Sequence, residues 1–114
     1  MAPCMISFRG HEAPVWVLEG LRSGRIGAVC LFTFNFASAE QLRELNLSLM
    51  AAAAEGGHPP PIIGIDQEGG QLQAVSRGAT ELPGNMALGA AGSEELARRT
   101  GRVLGRELLA LGVN

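Results

Sequence analysis

The sequence contains no lysine, and all nine of its basic residues are arginine. Charged residues of both signs make up only 18% of the chain, and the formal net charge is −2. No basic stripe follows from this composition, which argues against nucleic acid as a partner. No uninterrupted apolar run approaches the length of a membrane span. The opening MAPCMISFRG lacks a charged region followed by an apolar one, so no secretory signal is read there. Cysteine and histidine occur twice each, as Cys4 and Cys30, His11 and His58, and none stands in a metal-ligand spacing. The expectation is two reduced core thiols, no metal site, and a cytoplasmic protein of a reducing compartment.

What is present is a hydrophobic content of 46% in 114 residues, enough for one small domain or a piece of a larger one. Short apolar runs alternate with longer helix-like stretches. The run Cys4 to Phe8 reads as a strand, and a helix follows from about Pro14 with Val15, Leu18 and Leu21 as its apolar stripe. Trp16 lies in that helix and is expected to pack. IGAVCLF, within Ile26 to Phe34, reads as a strand buried on both faces. Ser38 suits a helix N-cap, with Gln41 completing a capping box. Leu42, Leu45 and Leu49 form the core stripe of that helix, and Gly56-Gly57 stops it. A third strand runs from Ile62 to Asp66. Residues 74–92 read as a long ordered loop. A last helix opens at Ser93, carries Leu96, Val103, Leu104, Leu108 and Leu111 on one side, and ends at Gly112. Val113-Asn114 then leads toward a further strand.

The order β-α-β-α-β-loop-α, without a polar strand face, calls for an α/β fold with parallel strands and covering helices. Two architectures fit: a small doubly wound domain, or the first three βα units of a TIM-type (β/α)8 barrel, incomplete at this length.

In such folds, polar groups at the C-terminal ends of strands point into the ligand crevice. Asp66 stands there. Its carboxylate can accept two hydrogen bonds from neighbouring hydroxyls, as sugar recognition requires, or it can simply cap the turn that follows. Gln67 and Glu68 are expected to brace the loop, while Gly69 and Gly70 let the backbone turn sharply. Arg9, Gly10, His11 and Glu12 follow the first strand and either reach the crevice or form a solvated loop. Asn35 supports the site or makes a turn. No GxGxxG, GxxxxGK[ST] or GxSxG occurs, which counts against nucleotide binding and a serine nucleophile elbow.

IIGIDQEGGQLQ, followed by LPGNMALGAAGSEELARRTGRVLGRELLALGVN, resembles the N-terminal part of family 3 glycoside hydrolases, nearest the bacterial β-N-acetylhexosaminidases. RIGAVCLFTFNFASAEQLRELNLSLMAAA extends the resemblance over nearly the whole chain. It implies that residues 1–114 are the N-terminal portion of a catalytic barrel whose partner is the remainder of that barrel. The implied reaction is hydrolysis of terminal β-linked N-acetylglucosamine, as in peptidoglycan recycling. It would retain configuration through a covalent glycosyl-enzyme, without metal or organic cofactor. Asp66 matches the family aspartate that binds hydroxyls of the non-reducing-end sugar. Gln71, Ala74 and Phe34 stand where family members commonly carry arginine. The family's nucleophilic aspartate and acid/base histidine have no match here, so the isolated chain is expected to be inactive. A noncatalytic sugar-binding or assembly module, and a β-glucosidase-type exo-glycosidase, are the alternatives.

Overall fold

A computed structural model describes residues 3–114. At its centre is a parallel sheet in the order β1 (Cys4–Ile6), β2 (Ile26–Leu31), β3 (Ile62–Ile65). Helix α1 (Val15–Arg22) connects the first two strands, and α2 (Ala39–Glu55) connects the second and third. The register pairs Met5 with Ala28 and Ala28 with Ile62, Ile6 with Val29 and Val29 with Ile63, then Cys30 with Gly64 and Leu31 with Ile65. Successive side chains alternate between faces, so paired residues share one. One face holds Val29, Leu31 and Ile63, buried in a single core with Val17 and Leu21 of α1 and Leu42, Leu45 and Leu49 of α2. The opposite face holds Met5 and Ile62, which are 57% and 59% exposed, and Gly64, which opens onto empty space. Both helices therefore cover the same side. A doubly wound domain covers both faces, whereas a (β/α)8 barrel begins in this one-sided way with the bare face turned to its interior.

The strands are shorter than the apolar runs that announce them. β1 stops at Ile6 rather than Phe8, and β2 at Leu31 rather than Phe34, because Thr33–Asn35 form one 3₁₀ turn. Burial on α1 falls on Val17, Gly20 and Leu21, so Val15 and Trp16 are left 70% and 52% exposed, against the expected stripe and packing. Neither thiol lies in the core: Cys4 is exposed and Cys30 half-buried, since the face Cys30 occupies has no covering layer. Both are free.

The Ser38 hydroxyl accepts the Gln41 N–H at 3.1 Å, as a cap should. Gln41 itself departs from the capping box. Its Oε1 accepts from the Ala37 N–H at 2.8 Å, and its Nε2 donates to the carbonyls of His11 (2.7 Å) and Asn35 (3.2 Å). The helix start thereby fastens both loops at the C-terminal ends of β1 and β2.

Residues 74–92, expected as one long loop, contain a helix, and a short hairpin precedes them. Gln67–Gly69 and Leu72–Gln73 pair antiparallel as β4 and β5, and Asn85–Ala91 form α3. That helix follows from Met, Leu and Ala, all strong helix formers, with Gly92 in the left-handed conformation closing it. Helix α4 (Glu94–Ala110) starts where Ser93 Oγ accepts the Leu96 N–H at 3.2 Å. Its apolar stripe exists but is not buried, and no α4 residue is fully covered. Only its end docks: Leu108 and Leu111 pack on the core, and Asn46 Nδ2 donates to the Leu111 carbonyl at 2.8 Å. Beyond Gly112 (φ 83°) the chain turns onto the free edge of β3. There the Asn114 N–H donates to the Ile63 carbonyl at 3.2 Å, Asn114 Oδ1 accepts the Ile63 N–H at 2.9 Å, and Asn114 Nδ2 donates to the Pro61 carbonyl at 3.1 Å. Among the described residues no helix is long and apolar enough to cross a membrane.

Candidate functional site

Because the three strands are parallel, the segments after Ile6, Leu31 and Ile65 emerge on one rim of the sheet. Alternation from Ile62 through Gly64 places Asp66 on the bare face, beside Cys30. The Cys30 thiol registers this neighbour: burial raises its pKa, and the Asp66 carboxylate raises it further by disfavouring the thiolate. Asp66 is exposed, and among the described residues no side chain hydrogen-bonds its carboxylate; its carbonyl accepts the Ala74 N–H at 3.0 Å. The acceptor oxygens are thus open to solvent on that face.

The residues after Asp66 form a rigid mount. Gln67 is buried, and its amide pairs with the Val75 backbone as another strand would. The Val75 N–H donates to Gln67 Oε1 at 2.9 Å, and Gln67 Nε2 donates to the Val75 carbonyl at 3.2 Å. Gly69 and Gly70 both have positive φ, 89° and 62°. A Cβ on Gly69 would lie 2.8 Å from the Leu82 carbonyl oxygen and 3.0 Å from the Gly84 nitrogen. That close approach lets the Gly70 N–H reach the Leu82 carbonyl at 2.7 Å. The two sequence motifs IDQEGG and LPGNMALGA are therefore one packed unit, with Asn85 Nδ2 also donating to Glu68 Oε2 at 3.4 Å. Gln71 is exposed at the hairpin turn, whereas Ala74 is buried and offers no group to a ligand.

At the end of β2, Asn35 is fully buried and uses its whole side-chain amide. Oδ1 accepts the Phe32 N–H at 2.9 Å, while Nδ2 donates to the Phe8 carbonyl (3.0 Å) and the Gly10 carbonyl (2.8 Å). Of the two roles open to it from sequence, it supports the rim and shapes the turn at once. Nearby, the Arg9 guanidinium carbon lies 4.8 Å from the Phe34 ring centre, and Phe34 stacks on Phe32 at 5.4 Å. The sequence hints at this stack only through the two phenylalanines of LFTFN. His11 and Glu12 do not join the rim: they line an outer groove of about 350 Å³ against Gln41 and Glu44 of α2.

A concavity of about 790 Å³ lies between the β4–β5 hairpin and α3, with Leu72, Pro83 and Met86 in its wall. Asp66 is not part of it. The strand rim is the better candidate, because it gathers the polar groups that the fold delivers to a ligand. Among the described residues, no three His, Cys, Asp or Glu side chains come together as a metal site would need.

Residues 11–114 match the family model for the glycosyl hydrolase family 3 N-terminal domain. A curated beta-hexosaminidase of Alkalilimnicola ehrlichii is 40% identical across 100% of this chain, which covers 33% of that protein. The chain spans about a third of the length of the curated relatives it matches. The solved family 3 beta-N-acetylglucosaminidase of Paenibacillus sp. superposes with a TM-score of 0.90 at 41% identity, over 96% of this chain and 21% of that one. Neisseria gonorrhoeae NagZ, solved in complex with N-trifluoroacetyl-D-glucosamine, gives a TM-score of 0.85 at 32% identity, over 98% of this chain and 34% of that one.

Proposed function

The chain belongs to glycosyl hydrolase family 3, and on that premise we propose that it supplies part of the sugar site of an enzyme removing terminal β-linked N-acetylglucosamine. In this reading residues 1–114 are the N-terminal portion of a catalytic barrel, and activity belongs to the barrel completed by its remainder. Asp66 is the substrate-binding residue. Its carboxylate, exposed on the interior side of the rim, accepts hydroxyl hydrogen bonds from the non-reducing-end sugar. Gln67, Glu68, Gly69 and Gly70 hold it in place through the contacts with Val75, Asn85 and Leu82.

A single carboxylate on this rim binds but does not cleave. Retaining hydrolysis needs a nucleophile on the anomeric carbon and an acid to protonate the leaving oxygen. Both would come from later strands. A cytoplasmic setting belongs to the same reading, supported by two unpaired thiols. The observation that carries the proposal is an exposed carboxylate at a barrel-strand end, free of side-chain hydrogen bonds among the described residues, on a mount of buried amide and glycines.

Calorimetric titration of the chain with N-acetylglucosamine tests it. Binding should weaken about tenfold or more in Asp66→Ala, the equivalent of one charge-assisted hydrogen bond. An affinity unchanged by that substitution would sink the assignment.

A further inference from the structure

We propose that the outer face of α4 is a docking surface for an anionic lipid bilayer, with the helix lying along the bilayer plane rather than crossing it. The inference does not depend on the role of Asp66.

α4 turns one side toward the protein, where Thr100, Leu104, Glu107, Leu108 and Leu111 are half-buried. Its other side is open to solvent. From Leu96 to Ala110, every exposed residue is either an arginine or a residue without a polar side chain. The arginines are Arg98, Arg99, Arg102 and Arg106, four of the nine in the chain. At 3.6 residues per turn they fall within an arc of about 100° and along about 12 Å of the helix axis. Leu96, Val103 and Leu109 are the large apolar residues of this side, 42%, 38% and 64% exposed. By the same turn, Leu109 falls among the arginines and Val103 beside them.

The acids of the helix stand elsewhere. Glu94 and Glu95 occupy the first turn, and Glu107 is tied to Thr80. Glu95 reaches Arg98 at 3.3 Å, while Arg99, Arg102 and Arg106 make no ion pair among the described residues. The helix thus gathers on one face what the composition of the whole chain dilutes.

A solvated helix face ordinarily mixes acids with its bases, which gives ion pairs and solubility. Cations and apolar groups alone are what a helix at a lipid interface needs. Guanidinium forks meet the phosphates, while the arginine stems and the leucines enter the boundary beneath them. The chain's net charge of −2 gives it no general attraction to an anionic surface, so the contact is a local one. Nucleic acid would engage the arginines but leave Val103 and Leu109 unused, which favours lipid.

Co-sedimentation with vesicles tests this, using phosphatidylcholine alone and phosphatidylcholine mixed with phosphatidylglycerol. The chain should partition onto the mixed vesicles, not onto the neutral ones, and less so as salt is raised. Each arginine at such a surface contributes about fivefold, so Arg102→Gln combined with Arg106→Gln should lower the partition about 25-fold. Leu109→Ser should lower it about tenfold with the charge unchanged. All three positions are exposed, so circular dichroism should show these variants folded like the parent. Arg43→Gln, at an exposed arginine of α2, should leave the partition as it is. Equal binding to neutral vesicles, or a partition that survives the double substitution, would assign lipid to the bare sheet face and overturn the proposal. A loss in Arg43→Gln as large as in the double variant would trace binding to net charge and overturn it as well. So would no partition at low salt. An RNA oligonucleotide held by the same arginines, with mixed vesicles unbound, would make the face a polyanion site instead.

Discussion

Replacing Asn35 tests how the rim is built. In Asn35→Ala three hydrogen bonds of 2.8 to 3.0 Å disappear at a site with no solvent exposure. Each contributes about 1 kcal/mol net, and an orphaned buried partner costs more than that, so a loss of about 3–5 kcal/mol is expected. Asn35→Asp is the sharper probe, because it changes one atom. The carboxylate still accepts from the Phe32 N–H, but its second oxygen now faces the Phe8 and Gly10 carbonyls. Burial and those carbonyls disfavour the charged form, so the introduced acid should have its folded-state pKa raised above the unfolded value. The sign then follows from linkage. The variant is least unstable when the group is protonated, at pH below the ordinary aspartate range, and loses stability as pH rises through and above it. Urea denaturation followed by circular dichroism at pH 4 and pH 7 measures both effects. If Asn35→Ala stayed within about 1 kcal/mol of the parent, or Asn35→Asp were more stable at pH 7 than at pH 4, the account of the buried amide would be wrong.

Two further outcomes can be checked on the same chain. Gly69→Ala should cost about 2–4 kcal/mol, combining positive-φ strain with overpacking against Leu82 and Gly84, whereas Gly57→Ala, at φ 74° with nothing within 4 Å, should cost only about 1 kcal/mol; equal losses in chemical denaturation would refute the close-approach argument. The Glu107 carboxylate accepts from the Thr80 hydroxyl at 2.6 Å and its N–H at 2.8 Å, and these bonds hold its pKa below the model-compound value of 4.5. A lowered folded-state value means the tether is intact above that pH and is lost as pH falls through the folded value. Amide exchange at Thr80 should therefore accelerate there, beyond the intrinsic pH trend, in the parent but not in Glu107→Gln.

Local signals in the sequence were translated faithfully into structure. Ser38 and Ser93 cap because a hydroxyl before a helix satisfies nearby N–H groups whatever surrounds it. Leu42, Leu45 and Leu49 are buried because their spacing defines a face on its own. Asp66 was readable as a strand-end carboxylate, since the apolar run before it fixes where the strand stops. The misses share another cause. Gln67 with Val75, Gly69 with Leu82 and Arg9 with Phe34 are contacts between segments, and no periodicity encodes them. The glycines and turn formers of residues 74–92 suggested a loop, but the segment contains helix α3, and Gly84 before it packs bare backbone against Gly69 and Gly70. Cys4, Trp16 and the α4 stripe were expected inside because they are apolar, yet burial also requires a covering layer.

The order in which the strands pair bears on how such a chain is made. Each strand joins the edge left by its predecessor, so every pairing becomes available once the ribosome has released one further βα unit. No strand has to wait for a distant partner or insert between two already paired. Assembly in the direction of synthesis needs a growing edge kept in register. Asn114 provides that on β3, since its side-chain amide meets Pro61 and Ile63 as a peptide group would. One residue thus holds the free edge of β3 to a single alignment, and Asn114→Ala should slow refolding, followed by stopped-flow fluorescence, more than it lowers final stability.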